Sequence, residues 1–125
     1  LLKINDAYSV KTSSSKGSLF ENFVINEYLK QNYHNNLMHD FWFWRDAVGH
    51  EVDLIWQDSD KLNVVEIKAS ETIMPNLFNG LAYFDKLASA QIASKTLVHS
   101  GTFNQQRTVA RVQSWNNFQD RYREG

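Results

Sequence analysis

Cysteine is absent from the chain. That excludes a disulfide framework and any thiolate metal site, and it fits a cytoplasmic protein. Proline occurs once, at Pro75, and glycine five times, so collagen-like and linker-like architectures are excluded. No apolar run is long enough to cross a bilayer, and no membrane partner is expected. Neither sign of charge is in excess: 13 Lys and Arg stand against 14 Asp and Glu, a net charge of -1. Proteins that coat nucleic acid by neutralising phosphates are usually basic. Any contact with DNA must therefore be local, or be supplied by another domain. The first residue is Leu1 rather than Met, and no signal-peptide pattern follows. The chain reads as a fragment of a longer protein, cut at a domain boundary.

What is present is a globular composition. Apolar residues make up 42% and aromatics 14%, in a length of 125 residues that suits a single domain over 1–125 with a real core. Residues 1–10 read as a short extended piece, LLKIN, with a turn at Asn5 and Asp6. Residues 11–17 form a polar, Ser-rich loop without the spaced glycines of a phosphate cradle. Ser18 is an N-cap candidate, and Glu21 three residues on completes a capping box. The helix runs to about Tyr33. Its expected core-facing stripe is Phe20, Phe23, Val24 and Tyr28, with Glu21, Ile25 and Tyr28 on an adjoining face. Glu21 has two readings: a partner of the helix N-terminus, or a carboxylate leaning over a sheet edge.

After a connector at 34–39, an aromatic strand covers 41–45 and a hairpin turn 46–49. A second strand spans 50–57, a polar turn 58–61 and a third strand 62–68, together an antiparallel meander. A second helix over 76–89 buries Leu77, Leu81, Phe84 and either Leu87 or Ala88. Asn79 and Tyr83 share another face of it. A fourth strand covers 95–100, and an edge strand is expected over 107–112. Trp115 and Phe118 fall on a short closing helix, and the tail 120–125 is expected to fray. The order is helix, three strands, helix, then one or two strands, which predicts an α/β fold with a mixed central sheet and a helix on either side.

The chemistry concentrates in GHEVDLIWQDSDKLNVVEIKAS, residues 49–70. Side chains alternate along a strand, so Glu51 and Asp53 share one face, with Val52 and Leu54 opposite; Glu66 and Lys68 share a face, with Ile67 opposite. Pairing of the two strands brings Asp53, Glu66 and Lys68 together. Charged groups among Val, Leu and Ile are costly to bury unless something compensates them, and a divalent metal would do so. Magnesium takes hard oxygen ligands and keeps several waters. Asp53 and Glu66 would serve, with the backbone carbonyl of Ile67 as a third ligand. Lys68 would orient an attacking water or stabilise the transition state, which suits phosphodiester hydrolysis. The competing reading is an ordinary Glu–Lys pair on a surface strand. The run VVEI favours a central strand.

These residues resemble the PD-(D/E)xK nuclease superfamily. Asp53 stands at the D position, Glu66 and Lys68 at the (D/E)xK positions, and Glu21 at the first-helix acid. Val52 replaces the proline. Asn79 and Tyr83 loosely resemble the Q-x-x-x-Y motif of the RecB-like branch, with Asn in place of Gln. The segments KGSLFENFVINEYLKQ, FWFWRDAVGHEVDLIW, VVEIKAS and VQSWNNF are similar to the C-terminal nuclease-fold domain of unknown function in bacterial and archaeal AAA-type ATPases. This resemblance covers about 16–118, and residues 1–15 match poorly. It implies a restriction-endonuclease-like α-β-β-β-α-β core. It further implies Mg²⁺ or Mn²⁺ held by Asp53, Glu66 and Ile67, catalytic roles for Lys68 and Glu21, and DNA as substrate. The ATPase module would be the partner, since no P-loop motif occurs here, and an oligomer is compatible. The alternative is a non-catalytic module that binds nucleic acid or protein for that ATPase.

Three further expectations concern neighbouring residues. Glu51 would back the site or pair with Arg45. The histidines His34, His39, His50 and His99 lack zinc spacing and read mostly as surface or loop residues. Trp42, Trp44 and Trp56 read as core or interface rather than as platforms for bases.

Overall fold

In the computed structural model, residues 2–4 and 16–116 are described. The elements run β1 (Leu2–Ile4), α1 (Lys16–His34), β2 (Phe41–Arg45), β3 (Glu51–Asp58), β4 (Lys61–Lys68), α2 (Asn79–Ala88), β5 (Ile92–His99), β6 (Gln105–Gln106) and β7 (Arg111–Ser114). Short 3-10 turns flank α2 at Pro75–Phe78 and Ser89–Gln91. The strands form one sheet in the order β1-β2-β3-β4-β5-β7-β6. Neighbours from β1 to β4 are antiparallel, β4–β5 and β5–β7 are parallel, and β6 returns antiparallel to β7. The fold is therefore α/β, with the α-β-β-β-α-β order running from α1 to β5. Among the described residues no helix is long and apolar enough to cross a membrane.

The sheet is covered on both faces, and each helix brings its own core. Val24, Ile25 and Tyr28 of α1 pack on Phe41, Leu54, Trp56, Val65, Ile67 and Val98. On the other face, Leu81 and Phe84 of α2 and Phe78 before it meet Val52, Ile55, Val64, Leu97 and Val112. Strands buried on both faces read as continuous apolar runs, which is why VVEI contains no polar residue except Glu66. Trp56 is buried against Tyr28 and Phe41, with ring centroids 5.4 and 5.7 Å away. Trp42 and Trp44 are half-buried against the α2 core, so all three strand tryptophans serve packing.

Several boundaries and faces differ from the sequence reading. Helix α1 starts at Lys16, so Ser18 lies inside its first turn and is not its N-cap. Phe23 leaves the expected stripe: it is 45% exposed, and Ile25 takes its place in the core. One helical step of 100° separates each residue from the next, so burying Val24 and Ile25 together turns Phe23 outward. There its ring meets Trp115 edge-on at 5.8 Å. In α2, Ala88 packs inward and Leu87 is exposed. The expected strand over 107–112 is displaced to Arg111–Ser114, and residues 115–116 form a turn rather than a helix. The turn at Asn5 and Asp6, the loop 11–15, Phe118 and the tail 120–125 lie outside the described residues.

One irregularity matters most. Trp42 pairs with Ile55, but Trp44 pairs with Val52, so Asp53 and Leu54 together face the single residue Phe43. This is a β-bulge: one extra residue in β3, which bends the strand and breaks its alternation. Val52 and Leu54, expected on one face, consequently enter opposite cores.

The corrected helix face predicts a contrast. Ile25→Ala should cost about 2–5 kcal/mol, the range for a buried aliphatic cut to alanine. Phe23→Ala should cost under about 1 kcal/mol, as for surface positions. Urea unfolding of both variants measures the difference, and equal losses would contradict the assignment.

Candidate functional site

The bulge opens the sheet between β3 and β4. Their paired register runs from Asp58↔Lys61 to Leu54↔Val65 and goes no further. Beyond it, the Ile67 amide donates to Oδ2 of Asp53 at 2.8 Å. A side-chain carboxylate thus takes the place of a backbone acceptor. Asp53 is only 3% exposed, and Glu66 one position before Ile67 is 1% exposed. Burial pushes the Glu66 carboxyl well above its ordinary range. The charge of Asp53 and a hydrogen bond between the two groups add to this, Lys68 opposes it, and Glu51 raises it further. A hydrogen bond between two carboxyl groups needs a proton, and Glu66 is the group that keeps it. Its Oε1 has no hydrogen-bond partner.

Glu66 opens onto a cleft of about 270 Å³ between the ends of β3 and β4 and the start of α2. Lys68, two residues on, stands half-buried on the same wall. Glu51 lines it too and pairs with Arg45 Nε at 3.3 Å. Helix α2 contributes Asn79 and Gly80. A Cβ at Gly80 would collide with the Glu51 carbonyl oxygen and with Oε2 of Glu66. The glycine is what lets α2 lie this close to the acidic pair. At the rim, the 46–49 turn closes with Gly49 at φ 97°, where glycine is unstrained. His50 follows, its Nδ1 2.8 Å from Asp46 Oδ2 and its ring stacked on Tyr83 at 3.9 Å.

A family model described as a domain of unknown function, DUF4143, matches residues 16–118. The chain belongs to the DUF4143 family. No curated protein and no solved structure matches it. The match begins where α1 begins and takes in every described element except β1, so the cleft lies wholly within the DUF4143 span.

Within this DUF4143 domain, the expected residues divide as follows. Asp53 and Glu66 are neighbours and Lys68 shares the cleft with Glu66. Ile67 contributes its amide to Asp53; the N–H and C=O of one strand residue point to the same edge, so its carbonyl is also on the opened side. Glu21 does not line the cleft: it stands on α1, which packs on the opposite face of the sheet. Glu51 pairs with Arg45, one of its two expected roles. Asn79 lines the cleft, whereas Tyr83 supports His50 from behind. Among the described residues, no group of three or more His, Cys, Asp or Glu is arranged to hold a metal. Two carboxylates with a backbone carbonyl fit a hard, water-retaining cation such as Mg²⁺ and do not fit zinc.

Three features escaped the sequence reading. Gly80 carries a signal only as a glycine in a helical first turn, where it weakens the helix. The Asp46–His50 contact is hidden in a turn whose residues all have ordinary turn roles. His99, read as a surface or loop histidine, is fully buried at the end of β5. Its Nδ1 accepts from the Gly101 amide at 3.0 Å, leaving Nε2–H to donate to the Phe103 carbonyl at 2.8 Å. Local backbone bonds of this kind make a buried histidine affordable without a ligand.

The raised Glu66 carboxyl has a signed consequence. An unfolded Glu releases its proton near its ordinary value of 4.5, but the folded one holds it to higher pH. Between those points the folded state binds more protons, so this group's contribution to stability falls as pH rises. In chelator-treated protein, the melting temperature of Glu66→Gln minus that of the wild type should grow from pH 4.5 upward and then level off. A gap that shrinks over that range would reverse the assignment. Gly80→Ala should destabilise by about 1–3 kcal/mol through overpacking, despite the better helix propensity of alanine. Urea unfolding measures this loss.

Proposed function

We propose that this domain is a Mg²⁺-dependent nuclease-like module of PD-(D/E)xK type that hydrolyses phosphodiester bonds of DNA in the cytoplasm, as the C-terminal domain of an AAA-type ATPase. One observation carries the reading: Asp53 and Glu66 are buried together where the sheet opens, and Glu66 Oε1 lacks a partner. A structural ion pair would place a cation against such a carboxylate. Two acidic groups this close share a proton unless a cation takes its place.

Asp53 and Glu66, with the Ile67 carbonyl, would hold the cation. When bound, Mg²⁺ would supply a more acidic water and stabilise charge on a phosphoryl oxygen. The chain's own residues do the remaining work. The Ile67 amide fixes Asp53 so that its second oxygen keeps one orientation. Lys68, beside Glu66 in the cleft, positions the attacking water and offsets negative charge as the phosphorus gains its fifth oxygen. The role expected for Glu21 rests on the resemblance alone. The Asn79 side chain, which lines the cleft, suits a phosphate oxygen.

A second reading, a non-catalytic module that binds nucleic acid or protein for the ATPase, has its own support. Leu19, Phe23 and Trp115 are exposed, and the last two touch each other. Such a patch suits a docking face.

The readings separate by titration and by cleavage assay. Mn²⁺ should bind the wild type with one site, and Glu66→Ala should abolish both that binding and cleavage of DNA in Mg²⁺ or Mn²⁺. A wild type that neither binds Mn²⁺ nor cuts DNA, assayed with its ATPase, removes the enzyme reading and leaves the docking module.

A further inference from the structure

The Asp46–His50 pair is more than its turn requires. Oδ1 of Asp46 already closes the turn by accepting from the Val48 and His50 amides at 3.1 and 2.8 Å. That is the usual work of an aspartate in this place. Oδ2 is an addition, and it engages the His50 ring. Desolvation pushes the Asp46 carboxyl up, but its bonds from the His50 ring and from the His50 and Val48 amides outweigh this and hold it below its ordinary range. Asp46 is therefore a fixed anion directed at one imidazole nitrogen.

The ring is held on a second side. It lies flat on Tyr83, centroids 3.9 Å apart and planes 5° from parallel. Tyr83 in turn stacks on Trp44 at 5.9 Å and 24°. The Tyr83 face and the Asp46 carboxylate thus fix both the plane of the imidazole and the nitrogen it gives to the turn. The charged groups around it are Asp46 in the turn, Glu51 on β3 with Arg45 on β2, and Glu66 and Lys68 on β4; α2 presents Tyr83, Asn79 and Asn76. With Nδ1–H given to Asp46, Nε2 bonds to none of the described residues. His50 lines the same cleft as Glu66 and Lys68.

We propose that His50, oriented by Asp46 and Tyr83, is the general acid that protonates the leaving oxygen when a phosphodiester is cut in this cleft. The proposal rests on the nuclease reading above and assigns a step that Asp53, Glu66 and Lys68 do not supply. The water oxygen bonds to phosphorus and its proton passes to solvent. The bond from phosphorus to the leaving sugar oxygen breaks, and its electron pair stays on that oxygen. The Nε2 proton of His50 moves to the same oxygen. The products are a phosphomonoester and a free hydroxyl, and His50 regains its proton from solvent. Asp46 and Tyr83 are positioning residues: they set the tautomer and the ring plane.

The test compares two esters with different leaving groups. Sugar hydroxyls are poor leaving groups and need the proton, whereas 4-nitrophenolate leaves without it. His50→Phe keeps a ring to stack on Tyr83 and removes both nitrogens. With Mn²⁺ supplied, it should slow cleavage of DNA by about 100-fold, the lower range for a general acid. Cleavage of bis(4-nitrophenyl) phosphate should change by less than about 3-fold, since no proton is required there. Mn²⁺ affinity, measured by titration, should be unchanged. Asp46→Asn retains the imidazole, so a smaller loss of the same selective kind is expected, and it replaces His50→Phe should that variant fail to fold. A wild type that cuts DNA while neither variant slows it, or while both esters slow equally, overturns this proposal and leaves the nuclease reading standing. A wild type that cuts neither ester overturns both.

Discussion

The hydrogen bond from the Ile67 amide to the Asp53 carboxylate sits where β3 and β4 stop pairing. A strand that bends away from its neighbour leaves amides and carbonyls without partners, and in a buried sheet each costs as much as a lost hydrogen bond. The bulge at Asp53 and Leu54 creates that situation, and the Asp53 side chain answers it. Doing so brings a carboxylate into the protein interior. Glu66, on the adjacent strand, is then buried beside a like charge and retains its proton. Much of the cleft follows from this: an opened sheet edge, two acids with one proton between them, and a cation at Lys68 two residues on.

The two helices play unequal parts. Helix α1 presents a continuous apolar face, with Ile25 and Val24 fully buried, and it fixes one side of β3 and β4. Helix α2 packs on the other side through Leu81 and Phe84, but its first turn approaches the acidic pair so closely that only glycine fits at position 80. The same helix holds Tyr83 beneath His50. It therefore spans both ends of the cleft, meeting the carboxylates at its start and the imidazole one turn later.

Much of this was legible in the residues. The apolar runs and polar turns between 41 and 68 give β2, β3 and β4 nearly to the residue, and the carboxylates of Asp53 and Glu66 stand out because their neighbours are Val, Leu and Ile. The bulge was not legible. In EVDLIW an apolar residue follows at every position that either register would bury, so Val52, Leu54 and Ile55 give no sign of where alternation fails. Phe23 misled for a related reason: an aromatic at the right spacing signals the core, yet here Ile25 fills that space and Phe23 finds Trp115 instead. Gly80, His99 and the Asp46–His50 contact depend on residues brought together by tertiary packing or on backbone groups, which carry no residue-type signal.

The pairing of β1 with β2 places Leu2 opposite Phe43, and Phe43 is the residue that the bulged pair of β3 faces. Only one strand separates this outermost edge from Asp53. Tension applied along β1 would load the hydrogen bonds at Phe43 first, and the next strand in line is the one whose bend holds the two acids together. The sheet edge outside the family's span is thus mechanically in series with the site, through Phe41 and Phe43 of the α1 core.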